Sequence, residues 1–164
     1  MLDFTPLDGK DAVAVNEMSH LATDIVREHF DPLIGKAQND YMLARFQTLQ
    51  AIAEQIAHGS RYYFVRENGQ DAGFVAFYPR DGKMYLSKFY LKKEMRGKGY
   101  AHEMLSFVLD ETKKAGLPAV FLNVNRYNDA CRAYEALGFT VARYEVNDIG
   151  NGFVMDDAVY EYTL

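Results

Sequence analysis

The sequence predicts an α/β protein built on one mixed, mostly antiparallel sheet of about seven strands with about four helices. Two turn signals, Asn68-Gly69 and Pro79-Arg80-Asp81-Gly82, join runs rich in aromatic and β-branched residues, as in a meander of hairpins. The stretch from Lys83 to Phe139 then reads as strand, glycine-bearing loop, helix, strand and helix. A strand–helix–strand connection makes its two strands parallel.

In chain order, Leu2 to Pro6 reads as a short strand with Leu2 and Phe4 alternating. Asp11 caps a helix running to about His29, with Ala14, Met18, Leu21, Ala22 and Ile25 at helical spacing. Pro32 and Gly35 break that pattern. A second helix is expected from about Asn39 to His58, on Met42, Phe46, Leu49, Ala53 and Ile56, and Gly59 ends it. Strands follow at Arg61–Arg66, Gln70–Tyr78 and Lys83–Leu91, the last carried by Met84, Tyr85, Leu86, Phe89, Tyr90 and Leu91. The next helix buries Ala101, Met104, Leu105, Val108 and Thr112 and stops at Gly116 and Pro118. Ala119–Val124 is the fifth strand, and a short helix begins near Asn128. Strand six is expected over about Thr140–Val146, a turn over Asn147–Gly152, and strand seven over Phe153–Leu164.

The chain has 164 residues, enough for one domain with a proper core, and no linker, repeat or low-complexity segment divides it; a single domain over 1–164 is expected. Its formal net charge of −5 argues against nucleic acid, which needs a basic footprint. The single cysteine, Cys131, permits no disulfide within the chain, and its place on an apolar helix face reads as packing. His20, His29, His58 and His102 lack metal-ligand spacing, so no metal is expected. The N-terminus carries no signal-peptide pattern and no long apolar run, which points to a cytoplasmic protein without a membrane partner.

The chemistry gathers on the loop Lys92-Lys93-Glu94-Met95-Arg96-Gly97-Lys98-Gly99-Tyr100-Ala101. The first amides of a helix have no intrahelical partner, and the helix dipole adds positive charge there. Glycines let the backbone approach a ligand, so phosphate or pyrophosphate is the natural occupant. Neither the G-x-x-x-x-G-K-[ST] loop nor the G-x-G-x-x-G fingerprint is present. Arg96-Gly97-Lys98-Gly99-Tyr100-Ala101 instead resembles the R/Q-x-x-G-x-G/A signature of the GCN5-related N-acetyltransferase (GNAT) family. One strand later, Asn128 to Phe139 is similar to that family's N-x-x-A-x-x-x-Y-x-x-x-G-F pattern. The two matches fall in the family's order, and the resemblance covers roughly Lys83 to the C-terminus.

The resemblance implies the GNAT fold, with its sheet splayed between strands 4 and 5, and acetyl-CoA as co-substrate. It implies that the amides of Arg96, Gly97, Lys98, Gly99, Tyr100 and Ala101 hold the pyrophosphate. It also implies that Phe89, Tyr90 and Leu91 pair with the pantetheine arm, that Leu91 N–H meets the thioester carbonyl, and that Asn128 contacts the cofactor. Tyr134 is placed as the acid that protonates the departing thiolate, and as a cofactor contact. On the residues alone, Tyr134 would be a packed aromatic and Asn128 a helix cap.

The general base stays open. Many members carry a glutamate on or near the fourth strand, whereas Lys83–Leu91 has no carboxylate and Glu94 reads as solvent-facing. A water chain, or a carboxylate among Asp31, Asp40, Glu145, Asp156 and Asp157, is the alternative. The implied activity is direct acetyl transfer to a primary amine: a polyamine, an amino-acid-like molecule or a protein N-terminus. Asp40–Gln47 is similar to polyamine-type bacterial members. The rival reading is a non-catalytic acyl-CoA-binding or interaction module. An apolar seventh strand leaves room for a homodimer.

Overall fold

The computed structural model describes residues 2–46 and 48–164; the side chains of residues 29–34, 45 and 46, and with them the candidate Asp31 and the end residues His29 and Phe46, lie outside the described set. The strands are hydrogen-bonded in the order β1-β2-β3-β4-β5-β7-β6. Among the described residues they form an α/β arrangement of seven strands, mostly antiparallel, with one parallel pair, β4–β5. The chain forms two compact units, Met1–Tyr78 with Lys88–Met104, and Pro79–Ser87 with Leu105–Leu164.

The first unit starts with β1 (Leu2–Pro6), α1 (Ala12–Ile34), α2 (Lys36–Phe46) and α3 (Leu49–Ala57). It continues with β2 (Arg61–Glu67), β3 (Gln70–Arg80), the end of β4 (Lys83–Leu91) and the first turn of α4 (Tyr100–Lys114). β1 pairs antiparallel with β2 from Leu2↔Glu67 to Pro6↔Tyr63. β2 pairs antiparallel with β3 from Arg61↔Phe77 to Glu67↔Gln70. Val15, Met18, Leu21, Ala22 and Ile25 of α1 and Ile52 of α3 bury one apolar face against Tyr62, Phe64, Phe74 and Ala76. The Tyr62 hydroxyl donates to Gln55 Oε1 at 2.6 Å, so this buried phenol keeps its partner, and burial raises its pKa above the tyrosine range.

Two expectations about the helices are corrected. α1 passes through Pro32, whose fixed φ is helical at the cost of one internal hydrogen bond, and Gly35 at φ +87° follows its end. The helix expected over Asn39–His58 is two, α2 and α3, which brings the described helices to five rather than four. The 3.6-residue spacing runs on across the break, but Thr48 is extended and its Oγ1 accepts from Ala51 N at 3.1 Å, a helix start. Thr48→Ala is therefore expected to lower stability by about 1 kcal/mol in urea denaturation, with Thr48→Ser close to wild type; equal midpoints for all three would remove the cap from the account.

The second unit holds the first part of β4 and the rest of α4, followed by β5 (Ala119–Asn125), α5 (Ala130–Ala136), β6 (Thr140–Gly150) and β7 (Phe153–Thr163). β4 and β5 pair in parallel at Met84↔Val120 and Tyr85↔Phe121. β7 pairs antiparallel with β5 and with β6. Met84, Leu105, Val108, Val120, Leu122 and Tyr160 are buried in this unit. β6 runs to Gly150, so the turn expected over Asn147–Gly152 shrinks to Asn151-Gly152. Asn68, Asp81 and Asn151, each followed by glycine, take φ of 51°, 53° and 56°, the geometry of two-residue hairpins. No described helix is long and apolar enough to cross a membrane.

Candidate active site

β4 ends at Leu91, as its aromatic and aliphatic run predicts. A 3-10 turn, Lys93–Met95, follows, then Arg96 in extended geometry, and α4 starts at Tyr100. Gly97 and Gly99 have φ of +77° and +79°, a region L side chains rarely enter. No atom lies within 4 Å of a Cβ built at either position, so they are needed for the backbone's path and the space beside it is open. Arg96, Gly97, Lys98 and Gly99 are exposed, and Ala101 is half-buried in the helix's first turn. The loop thus presents two left-handed glycines and cationic side chains at a helix N-terminus, an arrangement suited to a diphosphate.

Two side chains of the loop are already engaged. The Arg96 guanidinium donates to the Leu91 carbonyl at 3.2 Å, tying the loop back to the strand end. Tyr100 is buried, and the nearby Glu67 carboxylate together with burial pushes its phenol pKa up to about 12. Lys98 Nζ lies 6.0 Å from the Tyr100 ring centroid. Phe89, Tyr90 and Leu91 are half-buried, with the Tyr90 ring 5.3 Å from that of Phe74. One continuous strand, turn and helix start thus brings together all the cofactor candidates of the first unit.

Asn128 and Tyr134 belong to the second unit. Asn128 Oδ1 accepts from Ala130 N at 2.9 Å and so closes the turn into α5, although the N-cap position itself is Asp129. α5 ends with Phe139 N donating to Tyr134 O at 3.0 Å and Gly138 at φ +105°, a Schellman closure. This explains the spacing from tyrosine to glycine and phenylalanine. The closure also brings Phe139 edge-on to the half-buried Tyr134 ring, centroids 5.8 Å apart, while the Tyr160 ring lies 6.4 Å away. Burial raises the Cys131 thiol pKa, and the thiol donates to the Asn125 carbonyl at 3.6 Å; the Tyr160 phenol is pushed up to about 12 chiefly by burial. A raised thiol is a poor nucleophile, so Cys131 packs.

The carboxylates weighed as base now separate. Asp40 bonds Lys36 at 2.9 Å and Arg27 at 2.5 Å, and those partners hold it below the ordinary carboxylate range. Arg143, and then Asn147, do the same for Glu145. Asp156 pairs with Arg126 at 2.8 Å, and Glu94 is exposed on the 3-10 turn. Asp157 differs: it is buried beside Asn123 Nδ2 at 3.4 Å, and burial raises its pKa. A carboxyl raised in the folded state loses stability as pH climbs above its unfolded value, near 3.8. Asp157→Asn is accordingly expected to raise Tm at pH 7, with the gain vanishing below about pH 4; a Tm that falls at both pH values would contradict a strained charge at this position.

Two residues were missed by sequence reasoning. Lys88 on β4 is half-buried, and burial lowers its pKa to about 8. Nothing marked it beyond a cation inside an apolar strand. Gly73 on β3 is buried, and a lone glycine inside a strand pattern is a signal of close backbone approach. No group of three or more His, Cys, Asp or Glu is arranged to hold a metal among the described residues.

The sequence model described as "Acetyltransferase (GNAT) family" matches residues 23–139, and the chain belongs to that family. No curated protein sequence is significantly similar to the chain. Among solved structures, a PaiA N-acetyltransferase from Thermoplasma acidophilum, in complex with coenzyme A, is 16% identical with a TM-score of 0.80, covering 100% of this chain and 99% of that one. A GNAT acetyltransferase from Elizabethkingia anophelis with acetyl-CoA bound is 14% identical with a TM-score of 0.63, covering 99% and 98%. The ribosomal-protein-S18-alanine N-acetyltransferase of Escherichia coli is 19% identical with a TM-score of 0.67, covering 99% and 94%. At these identities the likeness is one of fold.

Proposed function

We propose that the chain acts as a single N-acetyltransferase domain, 1–164, that moves the acetyl group of acetyl-CoA directly onto a primary amine. The observation that carries this reading is the strand–turn–helix at Leu91–Ala101, with its two left-handed glycines and open backbone, in a chain of the GNAT family.

In this reading the amides of Arg96 to Ala101 bind the pyrophosphate, and Phe89, Tyr90 and Leu91 align the pantetheine arm. The pairing of β4 with β5 at Met84 and Tyr85, near the start of β4, is compatible with a splay farther on, which would admit that arm. The neutral amine attacks the thioester carbon, the carbonyl π pair moves to oxygen, and the Leu91 N–H donates to the oxyanion. The oxyanion then collapses and the C–S bond breaks; the Tyr134 hydroxyl gives its proton to the leaving sulfur, and the proton released by the acylated nitrogen passes to the base and, through solvent, back to the Tyr134 phenolate. Asn128 contacts the cofactor through the part of its side chain not used on Ala130. Among the described carboxylates weighed for the base we retain Asp157, which is buried and whose proton affinity burial raises.

The acceptor is a small amine, polyamine or amino-acid-like, or a protein N-terminus, and the working compartment is the cytoplasm. For a homodimer through the C-terminal strands, β6 offers Tyr144 and Val146, 58% and 65% exposed. A thiol-release assay with acetyl-CoA over polyamines, amino acids and peptide N-termini tests the activity. Turnover above hydrolysis with one class is expected. Retained coenzyme binding with no turnover across the panel favours the non-catalytic acyl-CoA-binding module instead.

A further inference from the structure

We infer that Gly73 and Ala72 of β3, with the Arg96 side chain, form a brace that aims the Leu91 N–H at the thioester carbonyl, which makes Gly73 and Arg96 positioning residues. The inference rests on the role proposed above for Leu91.

The brace begins with a defect in β3. In the pairing with β2, Val65 faces Gly73 and Arg66 faces Asp71, so Ala72 is the extra residue of a bulge. Bulges bend a strand and re-aim its groups. The freed Ala72 carbonyl accepts from Lys92 N at 2.8 Å, one residue past the end of β4. The next residue, Gly73, leaves room that no side chain would. A Cβ there would sit 2.0 Å from the Tyr90 carbonyl oxygen and 3.0 Å from Leu91 Cα. The Tyr90 carbonyl therefore occupies the position where a side chain of residue 73 would be.

The direction of one amide follows. The peptide between Tyr90 and Leu91 is planar and trans, so its N–H points opposite to its carbonyl. With the carbonyl turned onto Gly73, the Leu91 N–H is turned away from it. Three contacts hold that peptide in place. The Tyr90 ring packs on Phe74 with centroids 5.3 Å apart, the Leu91 carbonyl accepts from Arg96 at 3.2 Å, and Lys92 N is held by Ala72. Arg96 thereby couples the diphosphate loop to the acyl end of the strand. A donor fixed before the reaction stabilises developing charge without reorganising, and losing one such donor costs on the order of 10² in turnover.

The test uses Gly73→Ala and Arg96→Met. Each is titrated with desulfo-CoA, assayed for kcat, and examined by infrared spectroscopy of acetyl-CoA carrying ¹³C at the thioester carbonyl. In wild type, the bound carbonyl band is expected below its position in water, because the Leu91 amide polarises it. In Gly73→Ala the band should return toward the free position and kcat should fall on the order of 10²-fold, with the desulfo-CoA Kd within about threefold. Arg96→Met should move band and kcat the same way by a smaller step. A merely structural role would not move the band of bound ligand. Variants that keep both the wild-type band and kcat overturn the brace and leave the Leu91 assignment standing. A wild-type band at its position in water removes that assignment and the brace with it. If Gly73→Ala does not fold, the band and kcat of Arg96→Met, an exposed position, decide alone.

Discussion

Gly99→Glu is expected to abolish acetyl-CoA binding, raising Kd by more than about 100-fold, while the protein stays folded. Two effects add. Gly99 holds φ +79°, where a residue with a Cβ costs roughly 1–2 kcal/mol, so the loop shifts. The new carboxylate also brings negative charge to the helix N-terminus, where the dipole and the neighbouring Lys98 otherwise favour a diphosphate. The fold should tolerate the change, because nothing lies within 4 Å of a Cβ at residue 99. Gly99→Ala separates the two effects: it keeps the backbone strain without the charge and should bind more weakly than wild type but far better than Gly99→Glu. A Kd for Gly99→Glu within a few-fold of wild type would remove the loop from the diphosphate site.

Tyr134→Phe is expected to lower kcat by about 10²- to 10⁴-fold, the range for a lost general acid, with acetyl-CoA affinity nearly intact. The substitution keeps the ring, and with it the edge contact to Phe139 and the neighbouring Tyr160 ring. Stability should therefore change little, and a kcat loss reports the missing hydroxyl. A phenol titrating near 10 is a weaker acid than a thiol near 8.5, so the transfer depends on alignment. Unchanged turnover would return Tyr134 to a packing role, which its ring contacts also support.

Where local chemistry decides the structure, the sequence was readable. β4 falls on Lys83–Leu91, and α4 starts at the end of the glycine loop, because turn residues and helix caps act over a few positions. The spacing of Tyr134, Gly138 and Phe139 was visible as a motif, but its physical cause, a Schellman closure that seats Phe139 on Tyr134, needed coordinates. The break between α2 and α3 was hidden because apolar residues keep helical spacing through it, and a threonine cap outweighs that periodicity. β6 extends past its expected end because its ladder with β7 continues to Gly150↔Phe153, and pairing is not a local property. In the site, the sequence named the loop residues but not their division of labour. Tyr100 is buried and Arg96 turns back to Leu91, both set by packing and residues that the loop's own sequence does not reveal. Gly73 was marked by its type alone, and only the position of the Tyr90 carbonyl gives it a purpose.

The most direct measurement is a calorimetric titration of the purified protein with acetyl-CoA, beside desulfo-CoA and ATP. The account predicts saturable binding of the first two, with little of ATP alone, because the diphosphate loop and the strand that aligns the pantetheine arm act together. Absence of binding by both coenzymes would contradict it, leaving Arg96–Ala101 and Asn128–Phe139 as elements of the scaffold.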